Sequence, residues 1–241
     1  MSNFKRVIEK WRKEKGPLRI LSASGQLGYG IAEKAFRSGL ERDLHLIGAD
    51  MGSVDPGPYY LGSGKLATAY RTTKRDLKMA LTGALAMKVP LIIGTAGTAG
   101  GDTHLEQTIA IIREIAREEQ LSFKLATISA EMPRDLVKAK ARAGKIAPIG
   151  PIGDLTDAEI DGAACIVGQM GTEAFIRAID RDPDVIIAGR ACDTAIYTSL
   201  PARLGFPIGP ALQMAKIIEC ASLCTEGGGD RKSTRLNSSH G

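Results

Sequence analysis

Five short apolar runs punctuate the chain, each followed by small or polar residues and then by a helical pattern. They are Leu18–Ala23, Leu44–Ala49, Pro90–Thr95, Phe123–Ser129 and Val185–Ala188. Their hydrophobicity is continuous rather than alternating, which is the habit of strands buried on both faces. The segments between them run to roughly 20 to 55 residues, enough for the helical crossovers that parallel pairing requires. The pattern predicts an α/β fold: a layered, mostly parallel sheet of about five or more strands with helices on both faces.

Helix starts are signalled at Thr73–Asp76, Thr103–Glu106 and Thr156–Glu159, each shaped like a capping box. After Thr103, the apolar residues Ile109, Ile112, Ile115 and Ala116 mark one face of a helix running to about Glu119. At the N-terminus, Phe4, Ile8 and Trp11 fall on one face of a short amphipathic helix, expected to dock on the domain. The Gly- and Pro-rich stretch 144–156 is the best internal loop. No repeat of fixed period appears.

Composition narrows the class. The chain has 241 residues, 44% hydrophobic and 24% charged, which excludes disordered, collagen-like and coiled-coil proteins. The longest uncharged run, Val89–Gly101, is glycine-rich and too short to span a bilayer, and MSNFKRVIEKWRKEK is no secretory signal. The net charge of +5 is concentrated at the ends: residues 1–15 hold six Lys/Arg against two Glu, and 230–240 hold three against one Asp. The body is close to neutral, so no nucleic-acid face is implied. Cys165, Cys192, Cys220 and Cys224 contain no CxxC and suit a reduced, cytoplasmic setting. Cys220 and Cys224, one turn apart, are expected on a buried helix surface. The tail DRKSTRLNSSH matches, codon by codon, an in-frame translation of a common sequencing adaptor. The expected division is therefore a helix over 1–17, an incomplete α/β domain over 18–229 and an artefact over 230–241 that replaces a longer natural reading frame.

Parallel sheets bind ligands beyond the carboxyl ends of their strands. Five loops should converge there, and small residues and carboxylates concentrate in them. The candidate ligand-binding residues are Ser24 and Gly25 after the first run, Asp50 and Asp55 after the second, and Gly97, Gly100, Gly101 and Asp102 after the third. The loop 94–102 precedes a helix start, and its N–H groups suit an anion. Asp55 either caps the turn before Pro56 or joins Asp50 in binding or proton transfer. The candidate catalytic residues are Glu131, Arg190, Asp193 and His104. Arg190 carries a planar fork suited to a carboxylate, and the other three suit proton transfer. Asp193 alternatively caps the helix that follows. His45 reads as structural, and His240 falls in the tail. The glycines fit neither the dinucleotide fingerprint nor a P-loop, no His/Cys pair has zinc spacing, and no G-x-S-x-G elbow is present. No metal is expected, and no cofactor is specified.

At these residues the chain resembles the acyclic terpene utilisation (AtuA-like) family. The shared wording is RILSASGQLGYG (19–30), GADMGSVDPGPYYLGSGK (48–65), KRDL (74–77), PLIIGTAGTAGGDTH (90–104), IVGQMGTEAFIRAI (166–179) and VIIAGRACDTAIYTSLP (185–201). The resemblance implies a place near acyclic terpene or branched-chain acid degradation, which proceeds through acyl-CoA carboxylation, but assigns no reaction. Two functions follow. One is an enzyme acting on a small carboxylate or an acyl-CoA. The other is a non-catalytic binding or assembly subunit of an acyl-CoA carboxylase, with a homo-oligomer or a carboxylase complex as its assembly. The first requires the carboxylates and Arg190 to converge in a concave site. Neither involves nucleic acid or a membrane.

Overall fold

A computed structural model describes residues 1–220. All five apolar runs become strands: β1 (Ile20–Ser22), β2 (Leu46–Asp50), β3 (Leu91–Gly94), β4 (Leu125–Ile128) and β5 (Val185–Ala188). They form one sheet in the order β1-β2-β3-β5-β4, with every pairing parallel. The helices are α1 (Asn3–Glu14), α2 (Glu33–Leu40), α3 (Tyr59–Ser63), α4 (Tyr70–Ala86), α5 (Asp102–Glu118), α6 (Arg134–Arg142), α7 (Asp157–Gly162), α8 (Thr172–Ile179), α9 (Asp193–Arg203) and α10 (Ile208–Ile218).

Strand residues alternate between two cores because successive side chains leave a strand on opposite faces. Ile47, Ile93 and Ile187 pack with Phe36, Leu77, Leu81, Ile111 and Ile112 of α2, α4 and α5. Leu46, Ile92 and Ile186 pack with Phe4, Phe175, Ile196, Tyr197 and Leu200 of α1, α8 and α9. The expected amphipathic N-terminal segment is helix α1. It buries Phe4 and Ile8, sets Trp11 5.1 Å from the Phe206 ring, and donates the Asn3 N–H to Asp184 at 2.7 Å. His45 is structural as expected: buried, it accepts the Arg19 N–H at 3.1 Å.

Of the three expected capping boxes, the one at Thr156 forms. Its hydroxyl accepts the Glu159 N–H, and the Glu159 carboxylate accepts the Thr156 N–H. The other two are corrected. Helix α4 begins at Tyr70, three residues before Thr73, whose buried hydroxyl pairs with Thr68. Asp76 accepts the N–H groups of Gly28 and Gly30, at 2.9 Å each. Helix α5 begins at Asp102 with Gly101 as its N-cap, because Glu131 from the β4 loop accepts the Asp102 N–H and no local side chain is needed. Cys220 is also corrected: it lies past the end of α10 and is exposed rather than buried. Cys224, His240 and the adaptor-like tail lie outside the described residues. Residues 144–156 hold neither helix nor strand. Among the described residues, no helix is long and apolar enough to cross a membrane.

Candidate functional site

The topology itself marks a crevice. After β3 the chain enters α5, which packs on one face of the sheet, and after β5 it enters α9, which packs on the other. Because β3 and β5 are neighbours, their loops diverge and leave a gap between the carboxyl ends, where open α/β sheets bind ligands. A cavity of about 300 Å³ opens there, with Arg190, Ser53, Thr98, Tyr60, Leu61 and Val167 among its walls.

Arg190 follows β5 by two residues and is only half-buried. Its Nη2 donates to the Thr98 carbonyl at 2.9 Å and to the Ser53 carbonyl at 3.4 Å. This joins the β2, β3 and β5 loops through one guanidinium. Among the described residues no carboxylate forms an ion pair with it, and it is the only charged residue lining the cavity. Burial lowers its pKa, while the fields of Asp50 and Asp193 oppose that shift. The expected Arg190–Asp193 pair is thus electrostatic proximity without contact. Asp193 is the first residue of α9, with Cys192 as the N-cap, so it does not cap that helix. Burial and then Glu219 raise its pKa, against Arg190 and Lys216.

Asp50 ends β2 and is 2% exposed. Its Oδ2 accepts the Gly52 N–H at 3.1 Å, while Oδ1 has no partner. Burial, then Asp193, push its pKa well above the usual carboxylate range. Asp55 is exposed in the turn beyond it. Ser24 is buried and accepts the Gln26 N–H, and a Cβ on Gly25 would meet the Cys220 backbone at 3.1 Å.

The glycine loop is clamped mainly to the protein. Thr95 and Ala96 donate to the carbonyls of Gly189 and Ala188, and Arg190 donates to that of Gly100. The Thr95 hydroxyl bonds both the N–H and the carbonyl of Ala191 at 3.2 Å. A Cβ on Gly100 would lie 2.2 Å from Arg190 N, and one on Gly97 2.6 Å from Leu66. Thr95 and Thr98 sit at φ 52° and 80°, a costly conformation for β-branched residues and one concentrated at functional sites.

A second cluster joins the β3 and β4 loops. Ser129 donates to Asp102 at 2.5 Å, and the Glu131 N–H donates back to Ser129 Oγ at 3.2 Å. Glu131 also accepts from the Asp102 N–H and sits beside Cys165, where burial and this carboxylate push the thiol up to about 11. His104 is 1% exposed. Its Nε2 donates between the Tyr60 and Lys65 carbonyls, at 3.0 and 3.2 Å. Carbonyls only accept, so this nitrogen carries the proton.

The candidate residues therefore fall into two groups: Asp50, Arg190 and Asp193 around the β2–β3–β5 crevice, and Asp102, His104 and Glu131 at the N-terminus of α5. Sequence reasoning did not select Ser53, Thr98, Ser129 or Cys165. For Cys165 the available signal was one thiol between two shared blocks of wording, with no spacing that ties it to Glu131. Among the described residues, no group of three or more His, Cys, Asp or Glu side chains is arranged to hold a metal ion.

Fold and crevice together define a parallel α/β protein with a strand-end pocket walled by a single Arg. The family model described as "Acyclic terpene utilisation family protein AtuA" matches residues 65–234. The chain belongs to that family. No curated protein and no solved structure matches it.

Proposed function

We propose that the chain is a cytoplasmic enzyme acting on a small carboxylate or an acyl-CoA in the catabolism of acyclic terpenes or branched-chain acids, with Arg190 binding the substrate's anionic group. One observation carries this reading: a half-buried guanidinium walls the cavity and has carbonyls, not carboxylates, as partners. Two backbone carbonyls orient Nη2 and, among the described residues, no carboxylate forms an ion pair with the guanidinium, so a bidentate substrate carboxylate supplies the missing partner. A cavity of about 300 Å³ is at the small end of ligand sites and suits a short branched acid. Asp193 and Asp50, whose Oδ1 is unpartnered, are the carboxylates whose fields act on that charge and the candidate proton-transfer groups. Titration calorimetry with isovalerate tests the assignment. Native protein should bind it, and Arg190→Lys, which keeps charge but not the fork, should weaken binding by at least about tenfold. Equal binding by both proteins would remove Arg190 from the site.

One feature favours the assembly reading. Ile149 is 98% exposed in the 144–156 loop, with Ile146, Ile152 and Leu155 also exposed beside it. Apolar groups displayed together mark partner surfaces. Ile149→Asp should abolish capture of a carboxylase subunit if the chain is an assembly component and leave isovalerate binding intact.

A further inference from the structure

At the Gly101 N-cap of α5, three side chains surround one point. A Cβ on Gly101 would lie 3.2 Å from Cys165 Sγ, 3.3 Å from His104 Nδ1 and 3.3 Å from Leu61 Cδ1. Leu61 also walls the cavity that holds Arg190. A thiol and an imidazole therefore flank the missing side chain of a glycine at the cavity's edge. The imidazole is poised: its Nε2 is fixed by two backbone carbonyls, and its buried Nδ1 has no hydrogen-bond partner. A base held in one tautomer by a third group, facing a thiol across a narrow gap, resembles covalent acyl-transfer sites, whose contacts commonly tighten only when substrate binds.

We propose that Cys165 is an acyl-accepting nucleophile and His104 its base, forming an acyl-Cys165 intermediate from a thioester seated in the Arg190 cavity. The choice of an acyl substrate rests on the function proposed above. As the thiol sulfur attacks the thioester carbonyl, its proton passes to His104 Nδ1. A new carbon–sulfur bond forms to Cys165, the original one breaks, and the imidazolium returns the proton to the departing thiolate. No oxidant or reductant is involved. The resting group is a thiol because burial and Glu131 hold it protonated, so attack requires a base in place rather than a standing thiolate. The 17-residue α5 presents the positive end of its dipole at the same place. Gly101 leaves the gap between thiol and imidazole open.

The test uses S-isovaleryl-N-acetylcysteamine, a neutral thioester without a nucleotide. Intact-protein mass spectrometry and peptide mapping should show an isovaleryl group on Cys165 of the native chain and none in Cys165→Ala. Gly101→Ala plugs the gap at a φ of −73°, which any residue adopts, so its circular dichroism should stay native. Its acylation rate should fall by at least about tenfold, as should that of His104→Gln. If His104→Gln does not fold, Gly101→Ala decides alone. The proposal is overturned if native protein carries no acyl-Cys165, or if Gly101→Ala acylates at the native rate. A neutral probe makes no use of the Arg190 charge, so isovalerate binding can fail while acylation persists, or the reverse.

Discussion

Gly100 offers a measurement of how tightly the glycine loop is built. It sits at φ +73°, and a Cβ there would lie 2.2 Å from Arg190 N and 2.6 Å from Arg190 Cα. Those are backbone atoms just beyond β5, so neither a rotamer change nor a flexible tip relieves the clash. Gly57 is the matched control, at φ +71° with nothing within 4 Å. Both Ala variants incur the left-handed penalty of about 1–2 kcal/mol. Only Gly100→Ala adds overpacking of about 1–3 kcal/mol, for a total of about 2–5 kcal/mol. Urea unfolding should therefore give a midpoint clearly below that of Gly57→Ala, with an unchanged m-value. The N–H of Arg190, which now donates to the Gly100 carbonyl at 2.9 Å, should lose protection from hydrogen exchange. Coincident midpoints for the two variants would refute the reasoning. A Val at Gly97 or Gly100 should likewise destabilise the fold and not only weaken a ligand.

Cys165 is held as a thiol, so its alkylation by iodoacetamide at about pH 8 should be slow. Glu131→Gln removes a charge that raises the thiol pKa and should accelerate alkylation; an unchanged or slower rate would contradict the assignment. Thr156→Ala removes one hydroxyl from a formed capping box and should cost about 1 kcal/mol, read in urea. Phe4→Ala empties a fully buried site between α1 and the sheet and should cost about 3–5 kcal/mol, against no change if α1 were merely tethered.

The sheet was legible because its physics is local. Each strand is a short continuous apolar run, and burial on both faces is what such a run requires; Leu46 and Ile47, adjacent in the chain, indeed serve opposite cores. Helix starts were less legible wherever the terminal N–H groups are satisfied from a distance. Thr156 caps its own helix, and its motif reads correctly. Asp102 is satisfied by Glu131, 29 residues away, and nothing near Thr103 announces that. The same distinction governs the site. That the loops after β2, β3 and β5 face one crevice follows from parallel strands alone. That Arg190 rests on the carbonyls of Ser53 and Thr98, or that Cys165 shares a point with His104, depends on loop paths that no periodicity encodes.

Asp50 turns this local electrostatics into a measurable pH dependence. It is buried at the end of β2 with one oxygen unpartnered, and its folded pKa lies well above the unfolded value near 3.8. The folded state therefore binds this proton more tightly than the unfolded chain does. Where the unfolded state binds fewer protons, stability falls as pH rises. The loss begins above 3.8, continues through the folded pKa, and is complete only beyond it. Asp193 deepens the effect as it ionises, and Arg190 limits it. Asp50→Asn keeps the shape and deletes the charge, so the variant should gain stability relative to the native chain between about pH 4 and about pH 8. Urea midpoints at the two pH values measure that difference, and other titrating groups cancel to first order because both proteins carry them. Isovalerate supplies the complementary measurement: if it binds Arg190 as proposed, it offsets the cation that opposes the shift, and Asp50 should become still harder to ionise. A native-minus-variant difference that is flat across this range would mean that Asp50 is solvated in the folded protein and that burial does not raise its pKa.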